Sequence, residues 1–236
     1  MSGLKKSSAY FVTGTGTGVG KTLVTSGLLA AARLSGLSTA GLKPVAAGCE
    51  LTEDGLRNDD ALALQAQTTL PISYEQINPV ALEPAIAPHI AAAEAGRRLS
   101  ADRLAGFCRG VMMQRPDLTL IEGAGGWRVP LNDRETFAEL AKIMQLPVIL
   151  VVGMDLGCIN LALLTAEAIQ RDGLTLAGWV ANQVVPTMDR YQENLETLQR
   201  RIRCPMIGEV PYQSGVEVEQ IIEYLSLDAL LEQADK

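Results

Sequence analysis

A single histidine, His89, is all this sequence has of the side chain that most often moves protons near neutral pH. That scarcity excludes a multi-histidine metal site and argues against histidine acid/base chemistry, and His89 within APHIAA reads as helix or loop structure. Cys49, Cys108, Cys158 and Cys204 lack C-x-x-C spacing and read as free thiols, neither staples nor zinc ligands. No apolar run approaches the roughly eighteen residues of a membrane span, and the opening MSGLKKSSAY lacks the hydrophobic stretch of a secretory signal. The expectation is a cytoplasmic protein with no membrane partner. Basic charge is also scarce. Twenty Lys and Arg against 27 Asp and Glu leave a net charge of -7, which argues against a nucleic-acid partner. Repeats, low-complexity tracts and linker-like boundaries are missing too, so the 236 residues, 47% of them hydrophobic, are expected to form one domain, 1–236.

What is present centres on Tyr10 to Thr25, YFVTGTGTGVGKTLVT. A β-branched and aromatic run ends in a glycine-rich turn, and Lys-Thr then opens an apolar segment with helical spacing. The turn resembles a Walker A phosphate loop, one residue longer than the usual G-x-x-x-x-G-K-T, because the first glycine in register is Gly14. Gly16, Gly18 and Gly20 let backbone N–H groups turn towards an anion, and the helix start adds roughly half a positive charge. Lys21 is placed to grip the β- and γ-phosphates, and the Thr22 hydroxyl to ligate Mg²⁺ between them.

Further along, strand-like and helix-like segments alternate. A helix from Leu23 to Leu34 precedes the short strand STAGLKPV; residues 45–58 read as a polar loop, with Asp59 or Asp60 as cap of the helix ALALQAQ. Four prolines interrupt the pattern between Pro71 and Pro88, and Ile90–Ala95 and Ala101–Gln114 read as helices. A strand, Leu118–Ile121, ends in Glu122 before the glycine-rich loop GAGGWRVPLND. After it come a helix (Thr136–Met144), the strand PVILVVG, the helix INLALLTAEAIQRDG and the strand LTLAGWVAN. A helix (Asp189–Arg201), the strand PMIGEV and a helix (Val218–Leu231) complete the chain. This is the pattern of an α/β fold: a single doubly wound, mostly parallel sheet flanked by helices, P-loop NTPase-like.

In such folds ligands sit beyond the carboxyl ends of the strands. That rule gathers the phosphate loop, Lys43, Glu122 and Asn182 at one edge. Glu122 has the character of an acid that holds Mg²⁺ after an apolar strand, and Asp60 is a candidate second carboxylate or a helix cap. Lys43, fixed by Pro44, projects its ammonium at the site.

The runs TGTGTGVGKT, AGLKPVAAGCE, GLRNDDALAL, IEGAGGW, PVILVVGMDLGCIN, GWVAN and GEVPY, in this order, resemble the dethiobiotin synthetases of biotin biosynthesis over nearly the whole chain. The resemblance implies an ATP-dependent ring closure of 7,8-diaminopelargonate with CO₂, through a carbamate phosphorylated by ATP. It implies that Thr22, Asp60 and Glu122 hold Mg²⁺, and that Lys21 and Lys43 neutralise the carbamate and the γ-phosphoryl. ATP contacts extend by the same resemblance over Thr17, Gly18, Val19, Gly20, Gly123, Ala124 and Gly125. Asn182 would meet the adenine edge, with Pro211, Tyr212 and Gln213 closing over the base. The family works as a homodimer, which implies that Gly157, Cys158, Ile159 and Asn160 receive the substrate carboxylate from across the interface, with Thr17, Lys43 and Ala47 on the other side. Gly18 stands where other members often have a larger or acidic residue, and Ala47 where a hydroxyl commonly contacts substrate.

Other readings fare worse. In a deviant Walker-type ATPase switch the signature lysine would fall at Gly16, and a GTPase would need an N-K-x-D guanine reader, but no Asn here is followed by Lys. A related amidoligase would usually carry a glutaminase domain, for which the length leaves no room.

Overall fold

A computed structural model describes residues 7–215 and 218–231. The chain opens with β1 (Ser8–Gly14), α1 (Lys21–Leu34) and β2 (Thr39–Leu42). Short elements follow: β3 (Val45–Ala47), β4 (Glu50–Thr52), β5 (Gly55–Arg57), α2 (Asp59–Ala66), α3 (Tyr74–Ile77), β6 (Val80–Leu82) and α4 (Pro88–Glu94). Regular alternation then resumes with α5 (Ala101–Met112), β7 (Leu118–Gly126), α6 (Phe137–Met144), β8 (Val148–Met154) and α7 (Cys158–Arg171). It ends with β9 (Leu176–Gln183), α8 (Tyr191–Arg201), β10 (Met206–Val210), α9 (Val218–Ile221) and α10 (Leu227–Leu231).

Six strands form one parallel sheet in the order β10-β9-β8-β1-β7-β2. The alternation of side chains along a strand feeds two cores. In β1, Tyr10 and Val12 join the layer built with Leu28 and Leu29 of α1, whereas Phe11 joins the layer with Leu104 of α5 and Ala162 of α7. Both faces are covered, so the doubly wound parallel fold is as expected, and strands such as β8 are apolar and buried at every position. Among the described residues no helix is long and apolar enough to cross a membrane.

Four expectations need correction. Residues 45–58 are not one loop: β3 pairs with β6 in a small parallel sheet, and β4 and β5 form an antiparallel hairpin. Neither Asp59 nor Asp60 caps α2; the cap is Asn58, whose side-chain oxygen accepts the Ala61 N–H at 3.3 Å. The strand expected to end in Glu122 continues to Gly126, because side-chain-poor Gly123–Gly126 lets the backbone stay beside β1, with Gly126 opposite Gly14. The expected C-terminal helix is broken by a 3₁₀ turn at Ile222–Tyr224, where Leu225 bridges to Gly208 and the Ser226 N–H donates to the Ile207 carbonyl at 2.7 Å. There a sheet-edge contact overrides helical propensity.

Candidate active site

The phosphate loop is shaped by two glycines, not three. Gly18 (φ +74°) and Gly20 (φ +82°) hold left-handed backbone that favours glycine, whereas Gly16 does not. Gly20 must also stay bare, since a Cβ there would run into the Asn182 amide. Val19 is wedged between strands: a Cβ on Gly14 or on Gly153 would meet its methyl groups. Gly20 caps α1 without any side-chain hydrogen bond, so no cap side chain competes for the first-turn N–H groups. Asn182 Nδ2 donates to the Val19 carbonyl at 2.9 Å, which ties the end of β9 to the loop. Lys21 Nζ donates to the Gly16 carbonyl at 2.9 Å. Burial, and then the nearby Lys43 charge, lower its pKa to about 8.

Lys43 follows β2 directly and is 4% exposed. Its backbone is held on both sides, the N–H donating to the Ile77 carbonyl at 2.9 Å and the carbonyl accepting Asn78 Nδ2 at 2.6 Å. Its ammonium lies 2.7 Å from Asp60 Oδ2 and 2.5 Å from Glu122 Oε1, with the Gly123 carbonyl at 3.5 Å. Burial alone would depress the Lys43 pKa, but the charges of Glu122 and Asp60 outweigh it and hold the group above the ordinary lysine value. For Asp60, burial pushes upward and the Lys43 charge and hydrogen bond prevail, so its carboxyl sits below the usual range. Because Asn58 does the capping, the Asp60 side chain is free to face the site.

Glu122 is fully buried; its Oε1 accepts the Thr22 hydroxyl at 2.8 Å, while Oε2 has no hydrogen-bond partner among the described residues. A buried carboxylate oxygen left unpaired is costly. The Glu122 carboxylate, with the Thr22 hydroxyl on its other oxygen and Asp60 across the shared Lys43, gives oxygen donors of the kind a hard divalent cation takes.

Lys21, Thr22, Lys43 and Asp60 open onto a cavity of about 770 Å³. Of the expected site residues, Thr17, Gly18, Gly20, Lys21, Thr22, Lys43, Ala47, Asp60, Ala124 and Gly125 line it. Val19, Glu122, Gly123 and Asn182 are not lining residues and stand behind the wall. The sequence reading missed one stretch of the wall, Ala85–Pro88, together with Ala46, Asn58 and Val129. The only signal for that wall was the pair Pro84 and Pro88 bracketing a short apolar run. Gly157–Asn160 lie outside this cavity, at the start of α7, where Gly157 (φ +103°) caps without a side-chain bond. Leu156 nearby is 97% exposed, and Leu161 and Leu164 are exposed on the same helix. Pro211, Tyr212 and Gln213 follow β10, also outside the cavity.

Comparison with known proteins places the chain in a family. A family model described as an AAA domain matches residues 8–220. The ATP-dependent dethiobiotin synthetase BioD of Cellvibrio japonicus is 63% identical over 95% of this chain and 98% of its own length. The protein of the same name from Pseudomonas paraeruginosa is 57% identical over 94% and 97%. Among solved structures, the MinC:MinD cell division complex of Aquifex aeolicus superposes with a TM-score of 0.59 at 11% identity, over 98% of this chain and 96% of that one. A ParA family ATPase of Chlorobium tepidum gives 0.56 at 11% identity, over 99% and 94%. Those two likenesses establish the P-loop NTPase fold alone. Identity above one half along nearly the full length does more: the chain belongs to the ATP-dependent dethiobiotin synthetase family.

Proposed function

We propose that this chain, as one P-loop synthetase domain acting in the cytoplasm, makes dethiobiotin from 7,8-diaminopelargonate, CO₂ and ATP, releasing ADP and phosphate. The observation that carries the reading is the buried Lys43 ammonium, set between two carboxylates and beside the phosphate loop in one cavity. One amine of the diamine takes up CO₂ as a carbamate, the carbamate receives the γ-phosphoryl, and the second amine closes the cyclic urea as phosphate leaves. Lys21 and Lys43 offset the charge that moves between carbamate and γ-phosphoryl, and no nucleophilic side chain is required. Thr22, Asp60 and Glu122 are the residues to hold Mg²⁺, which when bound neutralises charge on the β- and γ-phosphates. The nucleotide lies along Thr17–Thr22 and Gly123–Gly125, with Asn182 and Pro211–Gln213 at the base.

The apolar wall Ala85–Pro88 suits the alkyl chain of the diamine, beside Thr17 and Ala47. We place the substrate carboxylate on the N–H groups of Gly157–Asn160 from a second copy, since exposed Leu156, Leu161 and Leu164 offer an apolar face for a homodimer. Sedimentation at micromolar concentration tests this, and a fully active monomer would contradict it. The decisive assay for the reaction is product formation. ATP turnover is expected to be slow alone and strongly stimulated by diaminopelargonate with bicarbonate, with dethiobiotin detected by mass; substrate-independent ATP hydrolysis at the stimulated rate would instead mark a switch ATPase.

A further inference from the structure

Asp172 stands at the electrostatically wrong end of its helix. It is the C-cap of the 14-residue α7, where the dipole is negative and a carboxylate is disfavoured. What compensates comes from the loop after β7. Trp127 Nε1 donates to Asp172 Oδ2 at 2.8 Å, and Arg128 grips both oxygens, Nη2 at 3.0 Å from Oδ1 and Nη1 at 2.8 Å from Oδ2. Such a bidentate pair is geometrically specific, and the Asp172 side chain is only 12% exposed.

The clamp connects to the site through packing. Trp127, 3% exposed, meets Phe11 edge-on, with ring centroids 6.0 Å apart and planes at 76°. Phe11 in turn closes on Gly123 so tightly that a Cβ there would lie 3.0 Å from the ring. Gly123 follows Glu122, and its carbonyl faces the Lys43 ammonium. We propose that Asp172 is a positioning residue: by clamping Trp127 and Arg128 it fixes the Gly123–Gly126 segment, whose Ala124 and Gly125 line the cavity, and with it the placement of Glu122 and Lys43. This rests on the roles given to Glu122 and Lys43 in the proposed reaction.

The test compares Asp172→Ala, Asp172→Asn and Arg128→Met in the full chain. The sequence has two tryptophans, and the other, Trp179, is fully buried, so an altered environment at Trp127 is readable by emission and acrylamide quenching in the protein without ligands. In Asp172→Ala, Trp127 emission should shift and quenching rise. Its kcat should fall about tenfold with the KM for ATP within about twofold, short of the roughly 10² that a 1 Å misplacement costs. Asp172→Asn keeps an acceptor for the indole and should recover most of kcat; Arg128→Met should show a smaller loss in the same direction. If Asp172→Ala does not accumulate as folded protein, the other two variants carry the same comparison. An unmoved Trp127 signal, or unchanged kcat per folded molecule, overturns the proposal. Lys43→Gln is run beside them: if it keeps full kcat the reading of the site fails, whereas its loss with an intact Asp172→Ala rate sinks only the role of Asp172.

Discussion

Two glycine-rich stretches border the same cavity, the loop after β1 and the end of its neighbour β7, yet they are secured differently. The first leads into α1 and takes much of its shape from local backbone, left-handed Gly18 and Gly20 and a helix start, with one distant tie from Asn182 to the Val19 carbonyl. In the second, ten residues, 127–136, separate β7 from α6, and its hold comes from distant partners, with Trp127 and Arg128 on Asp172. A glycine-rich composition therefore does not say what fixes a loop. A binding loop can borrow rigidity from an adjoining helix or from tertiary side chains, and only the first kind is written in contiguous residues.

The widest expected separation between the two sides is at the lysines. Lys43→Gln should lose on the order of 10²–10³ in kcat, the usual cost of one transition-state donor, with ATP affinity little changed. Lys21→Gln should weaken both ATP binding and turnover. Calorimetric ATP affinity measured beside dethiobiotin formation decides between them, and near-normal product formation in Lys43→Gln would refute its assignment.

Next in size is the metal side. Glu122→Gln and Asp60→Asn should each raise the Mg²⁺ concentration needed for half-maximal turnover, because each removes anionic character from a hard-cation site. An unchanged Mg²⁺ requirement in Asp60→Asn would leave that residue as a partner of Lys43 alone.

Within the first loop the glycines should rank unequally. Gly20→Ala forces a Cβ into left-handed backbone, about 1–2 kcal/mol, and also against Asn182, so ATP affinity should fall by about tenfold or more. Gly16→Ala is the smallest change: its Cβ meets nothing within 4 Å. ATP affinity there should stay within about twofold, and a large loss would mean that ligand contacts, not backbone freedom, require glycine at that position.

The same contrast explains what the sequence made legible. Apolar runs such as PVILVVG announce buried parallel strands, and Gly-Lys-Thr after one of them marks the phosphate loop. Lys43, Asp60 and Glu122 could be nominated because each adjoins a strand or helix end. The β4–β5 hairpin could not, since its strands are three residues each and Glu50–Thr52 is exposed throughout, leaving no alternation to detect. Asn58, Asp59 and Asp60 are all good caps, so composition alone could not choose among them. The wall Ala85–Pro88 and the Asp172 clamp depend on contacts between segments far apart in the chain, where local pattern carries no information.

Strand order has a consequence for how the protein is made. β1, near the start of the chain, lies between β7 and β8, its Ser8 opposite Leu118 and its Phe11 opposite Val148. The nucleotide cradle therefore waits for both of its flanking strands, each of which arrives more than a hundred residues later in the chain. Long-range parallel pairing of this kind slows folding, and an unpaired β1 would be an exposed apolar edge in the interval. ATP gives no help during that wait; it stabilises by mass action only a sheet that has already closed.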